Sequence, residues 1–582
     1  MHTNITLPIY CQKPFTNQTL KQDRVTDAFN ICSTALNLNP PLYAVFVSST
    51  FEGVTSPNEK KHNRSGEMIR RVLTYSVLGA SAVGTGLSLH TNDYDINSLG
   101  IVRLSRSAVA VIDVAMTYKR ELYYREWDKN SPEYKAEKSR VHTMAAQRLL
   151  QLICVNKGVY IKVGQHIGAL DYLLPKEFVQ TMKVLHSNAP QNPIEDLYKV
   201  IKQDLKRNAE DIFDDFEREP LGTASLAQVH KAKLKTGEVV AVKVQHPYVK
   251  GNSRVDMATM ELAVKVLALI FPDFKIQWLV DESKKNLPIE LDFLNEGKNA
   301  EKVQQQFQKY KWLRIPHIHW DFCSPRVLVM EYIEGGQVND LEYIKRNNIN
   351  PFSIANKIGQ LYSEMIFNTG FVHSDPHPGN ILVRKQPGKD VEIILLDHGL
   401  YANLTDKFRY DYSKLWLSIL SVDRVGMRKY SQNLGIKGDL YGLFACMVTG
   451  RPWETLAKGV NKVKYSKEEK DTLQQNTSLV LPHISDVLEQ VDRQMLLILK
   501  TNDLIRGIES TLHTQNRMTS FWVMSKCCLR SSFGEEKTLA KTKTKRLGLV
   551  LRERWEIFKL NVYYLYLGLL NFGLMAAIKE LL

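Results

Sequence analysis

Apolar positions change their spacing several times along the chain, and each change predicts a different structure. Between 95 and 190 they recur at helical intervals. This predicts a helix over 101–118, then a charged one from about Ser131 into VHTMAAQRLLQLICVNKGVYIKVGQHIGALDYLLP. From Phe216 the spacing shortens to that of strands. EREPLGTASLAQVHKAKLKTGEVVAVKVQHP (217–247) predicts a strand, a small-residue turn, a second strand, a KTGE turn and a third strand, VVAVKV. NLPIELDFLNEGKNAEKV (286–303) predicts an acidic helix, and RVLVMEYIEGG (326–336) a buried strand ended by glycines. ILV and IILL, separated by QPGK (386–389), predict a hairpin within 371–399. Helical spacing returns over 401–512 through LWLSIL, LYGLFACMV and VDRQMLLILKTNDLIRGIE. Residues 1–67 are polar, without sustained periodicity, and are expected to be disordered or an upstream extension.

Composition narrows the class. At 582 residues, 44% apolar and 24% charged, the chain can bury large cores, and wholesale disorder is excluded. A net charge of +15 favours anionic partners: membrane surfaces, nucleotides or nucleic acid. No interleaved aromatic and basic motif of RNA-binding type is present, so nucleic acid is not an expected partner. The seven cysteines show no CxxC pair, and HExxH is absent, which argues against a structural metal or a disulfide framework. Cys527 and Cys528 are expected as partly buried thiols in a helix.

Both ends look membrane-directed. MIRRVLTYSVLGASAVGTGLSLHTN, from Met68, has two arginines, many small and hydroxyl residues, and no acid before Asp93. That suits a mitochondrial targeting segment over 68–94 if translation starts at Met68; as a membrane span, 72–92 is marginal. Near the other end, 537–546 carries five basic residues and no acid, and 560–578 is charge-free. This stretch just spans a bilayer, or lies at its interface. A mitochondrial, membrane-associated protein with lipid partners is expected.

The chemistry concentrates in FVHSDPHPGNILV (371–383) and VEIILLDHGL (391–400). Asp375 can orient or deprotonate an attacking hydroxyl, while Asn380 and Asp397 can hold Mg²⁺ against nucleotide phosphates. Gly222, Thr223, Ala224 and Ser225 are small enough to let backbone approach a phosphate. Lys243 sits mid-strand among valines, where an ammonium needs a counter-charge or an anionic ligand. Glu290, Asp292 and Glu296 offer that charge. Glu290 and Glu296 fall on different faces of one helix, or on a turn and a helix, and so can serve two cations.

KVGQ, ASLAQVH, AVKVQHP, ELDFLNEGKN, MEYIEGG, HSDPHPGN and DHG, in this order over about 141–400, resemble the UbiB/aarF family of atypical kinases. The resemblance implies an α+β, bilobal protein-kinase-like fold. Its parts would be a helical KxGQ extension over 95–215, an N-lobe over 216–335, a largely helical C-lobe over 336–512 and a membrane-associating tail over 513–582. It implies Lys243 as the invariant strand lysine with Glu296 as its helix partner, Asp375 as catalytic aspartate, and Asn380 and Asp397 as metal ligands. Met330 would line the adenine pocket, and the backbone from Glu331 to Ile333 would pair with the base. Lys162 and Gln165 match the KxGQ signature, expected over the active site, with Lys162 paired to Glu290 and Asp292 completing an ExD motif.

Some positions depart from the usual patterns. Ser374 replaces the arginine common in protein kinases, no APE motif follows Asp397, and His398 stands where DFG has phenylalanine. Gly222 and Thr223 occupy positions that are alanine in much of the family. The Pro-His-Pro-Gly run before Asn380 has the character of choline and aminoglycoside kinases. The expected function is Mg·ATP-dependent phosphoryl transfer to a small molecule, a lipid, a protein or water, with a role in mitochondrial membrane or lipid homeostasis. The alternative is a kinase-fold scaffold that acts without catalysis.

Overall fold

Helix α1 (Gly100–Tyr118) opens the described part of the chain. The computed structural model describes residues 99–571 apart from 130, 169–173, 187–190, 272–276, 376, 459–483, 485, 489 and 515–518. The expected segments at 1–67 and 68–94, and the end of the apolar tail, lie outside the described residues. Ser131 caps α2 (Pro132–Asn156), accepting the Tyr134 N–H at 3.1 Å, with proline at the first helical position. Lys157 and Gly158 then both take φ of +55°, which no helix accommodates. The chain restarts as α3 (Val159–Gly168), so KVGQ occupies a short helix of its own rather than a continuation of α2.

The N-lobe begins earlier than the strand pattern suggested. Helix α4 (Ile194–Leu205) leads into β1 (Phe213–Phe216), β2 (Gly222–Thr223), β3 (Ala227–Leu234) and β4 (Val239–Gln245). Side chains alternate faces along a strand. Val240, Val242 and Val244 of β4 therefore point one way, onto Leu197, Val200 and Ile201 of α4. Without α4 this valine face would meet water, so the expected boundary at 215/216 cuts through the lobe. Ala241 and Lys243 take the opposite face.

Next come α5 (Val249–Ile270), α6 (Gln277–Glu290) and α7 (Phe293–Gln306). Helix α5 is tied to α1 by a buried bidentate pair, Arg103 to Asp256, with both contacts at 2.6 Å. The predicted acidic helix is thus split at Leu291–Asp292, and Asp292 caps α7 by accepting the Leu294 N–H at 3.2 Å. After β5 (Leu313–Arg314), β6 (Val327–Glu331) completes an antiparallel sheet in the order β1-β3-β4-β6, with β2 on β3.

In the C-lobe, β7 (Gly336–Gln337) and α8 (Pro351–Ser363) precede the strands around the HSDPHPGN loop. These are β8 (Phe371–His373), β9 (Ile381–Lys385), β10 (Val391–Leu395) and β11 (Tyr401–Asn403). β9 and β10 form the predicted hairpin, and β8 pairs with β11. Helices α9 (Asp406–Leu420), α10 (Arg493–Thr511) and α11 (Thr519–Leu539) build the core beneath it. Val523, Cys527 and Cys528 of α11 are buried in that core, so the C-lobe extends past the expected boundary at 512. Burial pushes the Cys527 thiol up to about 12, which leaves it protonated and unreactive.

Helix α12 (Lys543–Asn571) closes the described chain. It exposes Leu547, Leu551, Trp555, Phe558 and Val562, at the spacing of a single helical face. No helix among the described residues is long and apolar enough to cross a membrane.

Candidate active site

Strand alternation aims Lys243 at α7, where Glu296 receives its ammonium at 2.7 and 2.9 Å. Asp397 Oδ1 stands 3.7 Å from the same nitrogen. Burial pulls the Lys243 pKa down, but Asp397 and Glu296 outweigh it and keep the ammonium charged. Three further contacts fix α7. Gly297 lets the helix lie against Trp320, since a Cβ there would fall 2.6 Å from the indole ring. Trp320 Nε1 donates to Glu301 at 2.7 Å, and Asn299 Nδ2 donates to the His398 carbonyl at 3.0 Å.

The HSDPHPGN loop is held from beneath by His373. The Asp375 N–H donates to His373 Nδ1 at 3.3 Å, so Nδ1 is an acceptor and the proton lies on Nε2, which donates to the Asp397 carbonyl. Asn380 Nδ2 donates to the Asp375 carbonyl at 3.1 Å, leaving its amide oxygen as the group available to a metal. Asp397 Oδ1 accepts the Gly399 N–H at 2.9 Å. Burial raises Asp397, yet Lys243 and this N–H hold its carboxyl down at about 2. His398 is buried, bonded at Nδ1 to the Tyr401 hydroxyl (2.8 Å) and at Nε2 to the Leu395 carbonyl (3.1 Å). Two hydrogen bonds fix the ring where a phenylalanine would have none.

Lys162 of α3 meets Glu290, the last residue of α6, at 2.7 Å. The two acids that sequence spacing left on separate faces thus lie on two helices, each serving its own lysine. Burial lowers Lys162, but Glu290 and Asp375 more than reverse this and hold it above its ordinary range. Gln165 Nε2 donates to the Leu185 carbonyl at 2.9 Å, a contact within the extension. The Asp292 carboxylate accepts the Leu294 N–H as the cap on α7.

A side chain at Gly222 would meet nothing within 4 Å, and the Thr223 hydroxyl is buried without a partner. Behind this loop, His246 Nε2 lies 3.0 Å from the Ala224 carbonyl, with its Nδ1 3.0 Å from Asn192 Nδ2. Met330 is buried at the end of β6. The Glu331 N–H is committed to the His317 carbonyl at 2.8 Å and is not available to a base.

One contact has no counterpart in the sequence reading. Lys500 of α10 reaches Asp375 Oδ1 at 3.4 Å. Burial raises Asp375, but Lys500 first and Lys162 next overturn this and hold its carboxyl well below the usual carboxylate range. The only sequence signal was a lysine amid the apolar run QMLLILK, as Lys243 lies amid valines.

The donor set suits a hard divalent cation such as Mg²⁺. One carboxylate (Asp397) and one amide oxygen (Asn380) leave the remaining positions to water and phosphate.

Residues 184–431 match the model of the ABC1 atypical kinase-like domain. A Drosophila melanogaster protein described as AarF domain-containing kinase 1 is 78% identical over 88% of this chain and 100% of its own length. AarF domain-containing protein kinase 1 of Gallus gallus is 48% identical over 86% of this chain and 96% of its own, and that of Mus musculus 47% over 88% and 98%. Identity of this level along almost the whole of each relative, on a chain whose strand lysine, helix glutamate and HSDPHPGN loop converge on one cleft, establishes membership: the chain belongs to the ABC1/AarF family of atypical kinase-like proteins.

Proposed function

We propose that this chain binds Mg·ATP and transfers its terminal phosphoryl group to a small molecule, lipid or protein, or to water. The observation that carries this reading is the convergence of Lys243, Glu296 and Asp397 within 3.7 Å beside an ionised Asp375. Such chemistry needs positioning and charge more than covalent participation. Lys243 would meet the nucleotide phosphates, and the loop from Gly222 to Ser225 would approach them. Met330, the Glu331 carbonyl and the Ile333 N–H would hold the base. Asn380 and Asp397 would hold Mg²⁺, which when bound neutralises phosphate charge. Asp375, kept as a carboxylate, would orient the acceptor hydroxyl.

Mg·ATP is expected to raise the melting temperature of the wild-type protein, and Asp397→Asn to abolish the rise. An unchanged wild-type melt would sink the nucleotide reading. A second reading, a kinase-fold scaffold acting without catalysis, draws on the Lys162–Glu290 contact, which fastens α3 beside the cleft where a protein substrate would enter. Full rescue of a loss-of-function phenotype by Lys243→Ala would favour it.

The cellular setting proposed is a mitochondrial membrane, with a role in its lipid homeostasis. The apolar stripe on α12, preceded by Lys543, Lys545 and Arg546, supports seating at an anionic lipid surface. Co-sedimentation with cardiolipin-containing vesicles that Leu551→Glu and Trp555→Glu together leave unchanged would count against this.

A further inference from the structure

Phosphoryl transfer spreads negative charge over the oxygens around the moving phosphorus, and fixed cations at that point lower the barrier. The HSDPHPGN loop supplies no lysine or arginine of its own: between Asp375 and Asn380 stand only two prolines, a glycine and His377. Two ammonium groups of the cleft are each paired at 2.7 Å: Lys243, assigned above to the nucleotide phosphates, with Glu296, and Lys162 with Glu290.

Lys500 differs. Its contact with Asp375 is 3.4 Å, longer than either of those pairs, and it approaches from 125 residues further along the chain. Helix α10 cannot rotate to withdraw it, because Met495, Ile498, Leu499 and Asn502 are buried, and Asn502 Nδ2 donates to the Tyr412 hydroxyl at 3.1 Å. Core packing therefore directs the ammonium at the catalytic carboxylate. A partly desolvated lysine is stable there only with anionic company, and a loosely held one can shift toward a second anion.

We propose that Lys500 is a catalytic residue whose ammonium bridges Asp375 and the γ-phosphoryl group as that group moves to its acceptor. The assignment rests on the phosphotransferase reading above. In the step, the acceptor hydroxyl oxygen bonds to the γ-phosphorus while the bond from that phosphorus to the bridging oxygen breaks. The electron pair of the broken bond leaves on the diphosphate, and the hydroxyl proton passes by way of Asp375 to solvent. Lys500 lies beyond residue 431, where the match to the kinase-like domain ends. The catalytic unit therefore includes α10.

Calorimetric titration of the full chain with ATP and with ADP, both with Mg²⁺, tests this without measuring turnover. Lys500→Met is expected to weaken ATP binding about tenfold or more, as loss of a charged hydrogen bond does, and to leave ADP binding nearly unchanged. Lys500→Arg should retain the wild-type ratio. Equal losses for both nucleotides, or no loss for either, overturn the assignment. Loss of ADP binding in both variants marks a structural role and overturns it equally. A wild-type chain that binds neither nucleotide sinks the phosphotransferase reading itself, and the assignment falls with it.

Discussion

Asn299 donates its side-chain amide to the carbonyl of His398 at 3.0 Å, one turn along α7 from the Glu296 that receives Lys243. Residues three apart share a helix face, so one surface of α7 fixes both the strand lysine and the backbone next to Asp397. Asn299→Leu removes a hydrogen bond and leaves a carbonyl unpaired, at a cost of about 1–3 kcal/mol. The melting temperature should fall, and the rise produced by Mg·ATP should shrink as well. A full ligand-induced rise on a lowered baseline would mean that Asp397 is positioned without Asn299.

The small-residue loop gives the protein an acid sensitivity of predictable sign. Burial lowers His246 to about 4, against an ordinary value of 6.5. The neutral ring donates from Nε2 to the Ala224 carbonyl. Below pH 6.5 the unfolded chain takes up a proton that the folded chain refuses until about pH 4, so stability drains away across that interval as pH falls. The shift corresponds to about 3 kcal/mol. Urea denaturation between pH 7 and 4 should show this slope, and His246→Gln, which keeps a donor and an acceptor but cannot titrate, should flatten it. An unchanged slope in His246→Gln would assign the acid lability to other groups.

The glycine of KVGQ is a packing requirement. A Cβ at Gly164 would lie 2.4 Å from Leu185 Cδ1 and 3.0 Å from Ile153 Cδ1, and both side chains belong to the buried core of the extension. Gly164→Ala should destabilise by about 1–3 kcal/mol through overpacking. Gly164→Val should cost more. Leu185→Ala combined with Gly164→Ala should recover part of the loss, measured by thermal denaturation; no recovery would show that the clash is not with Leu185.

What the sequence revealed follows from how local each signal is. Lys243 stood out because an ammonium among valines demands an anion, and HSDPHPGN because its groups fall within eight residues of chain. Lys500 was not legible. Its partner is 125 residues away, and a single lysine on an amphipathic helix normally faces water. The start of the N-lobe was hidden for a related reason: Leu197, Val200 and Ile201 mark an apolar helix face without saying that a sheet will cover it. The basic run 537–546 and the charge-free stretch 560–578 point to a tail, whereas Val523, Cys527 and Cys528 of α11 supply a core face.

The Lys162–Glu290 pair makes a kinetic prediction. It fastens α3 to the end of α6, and Lys162 also feels the charges of Asp375 and Asp397. Opening the extension would therefore separate a partly buried ion pair and expose Glu290, a cost of several kcal/mol in slow conformers. Lys162→Met with Glu290→Gln removes both charges together and avoids stranding either. If α3 gates the cleft, this double variant should speed association and dissociation of a fluorescent ATP analogue about tenfold each, with a much smaller change in Kd, because a lower gate barrier accelerates both directions equally. Stopped-flow mixing measures both rates. Unchanged rates with a weakened Kd would make Lys162 a ligand contact instead of a latch.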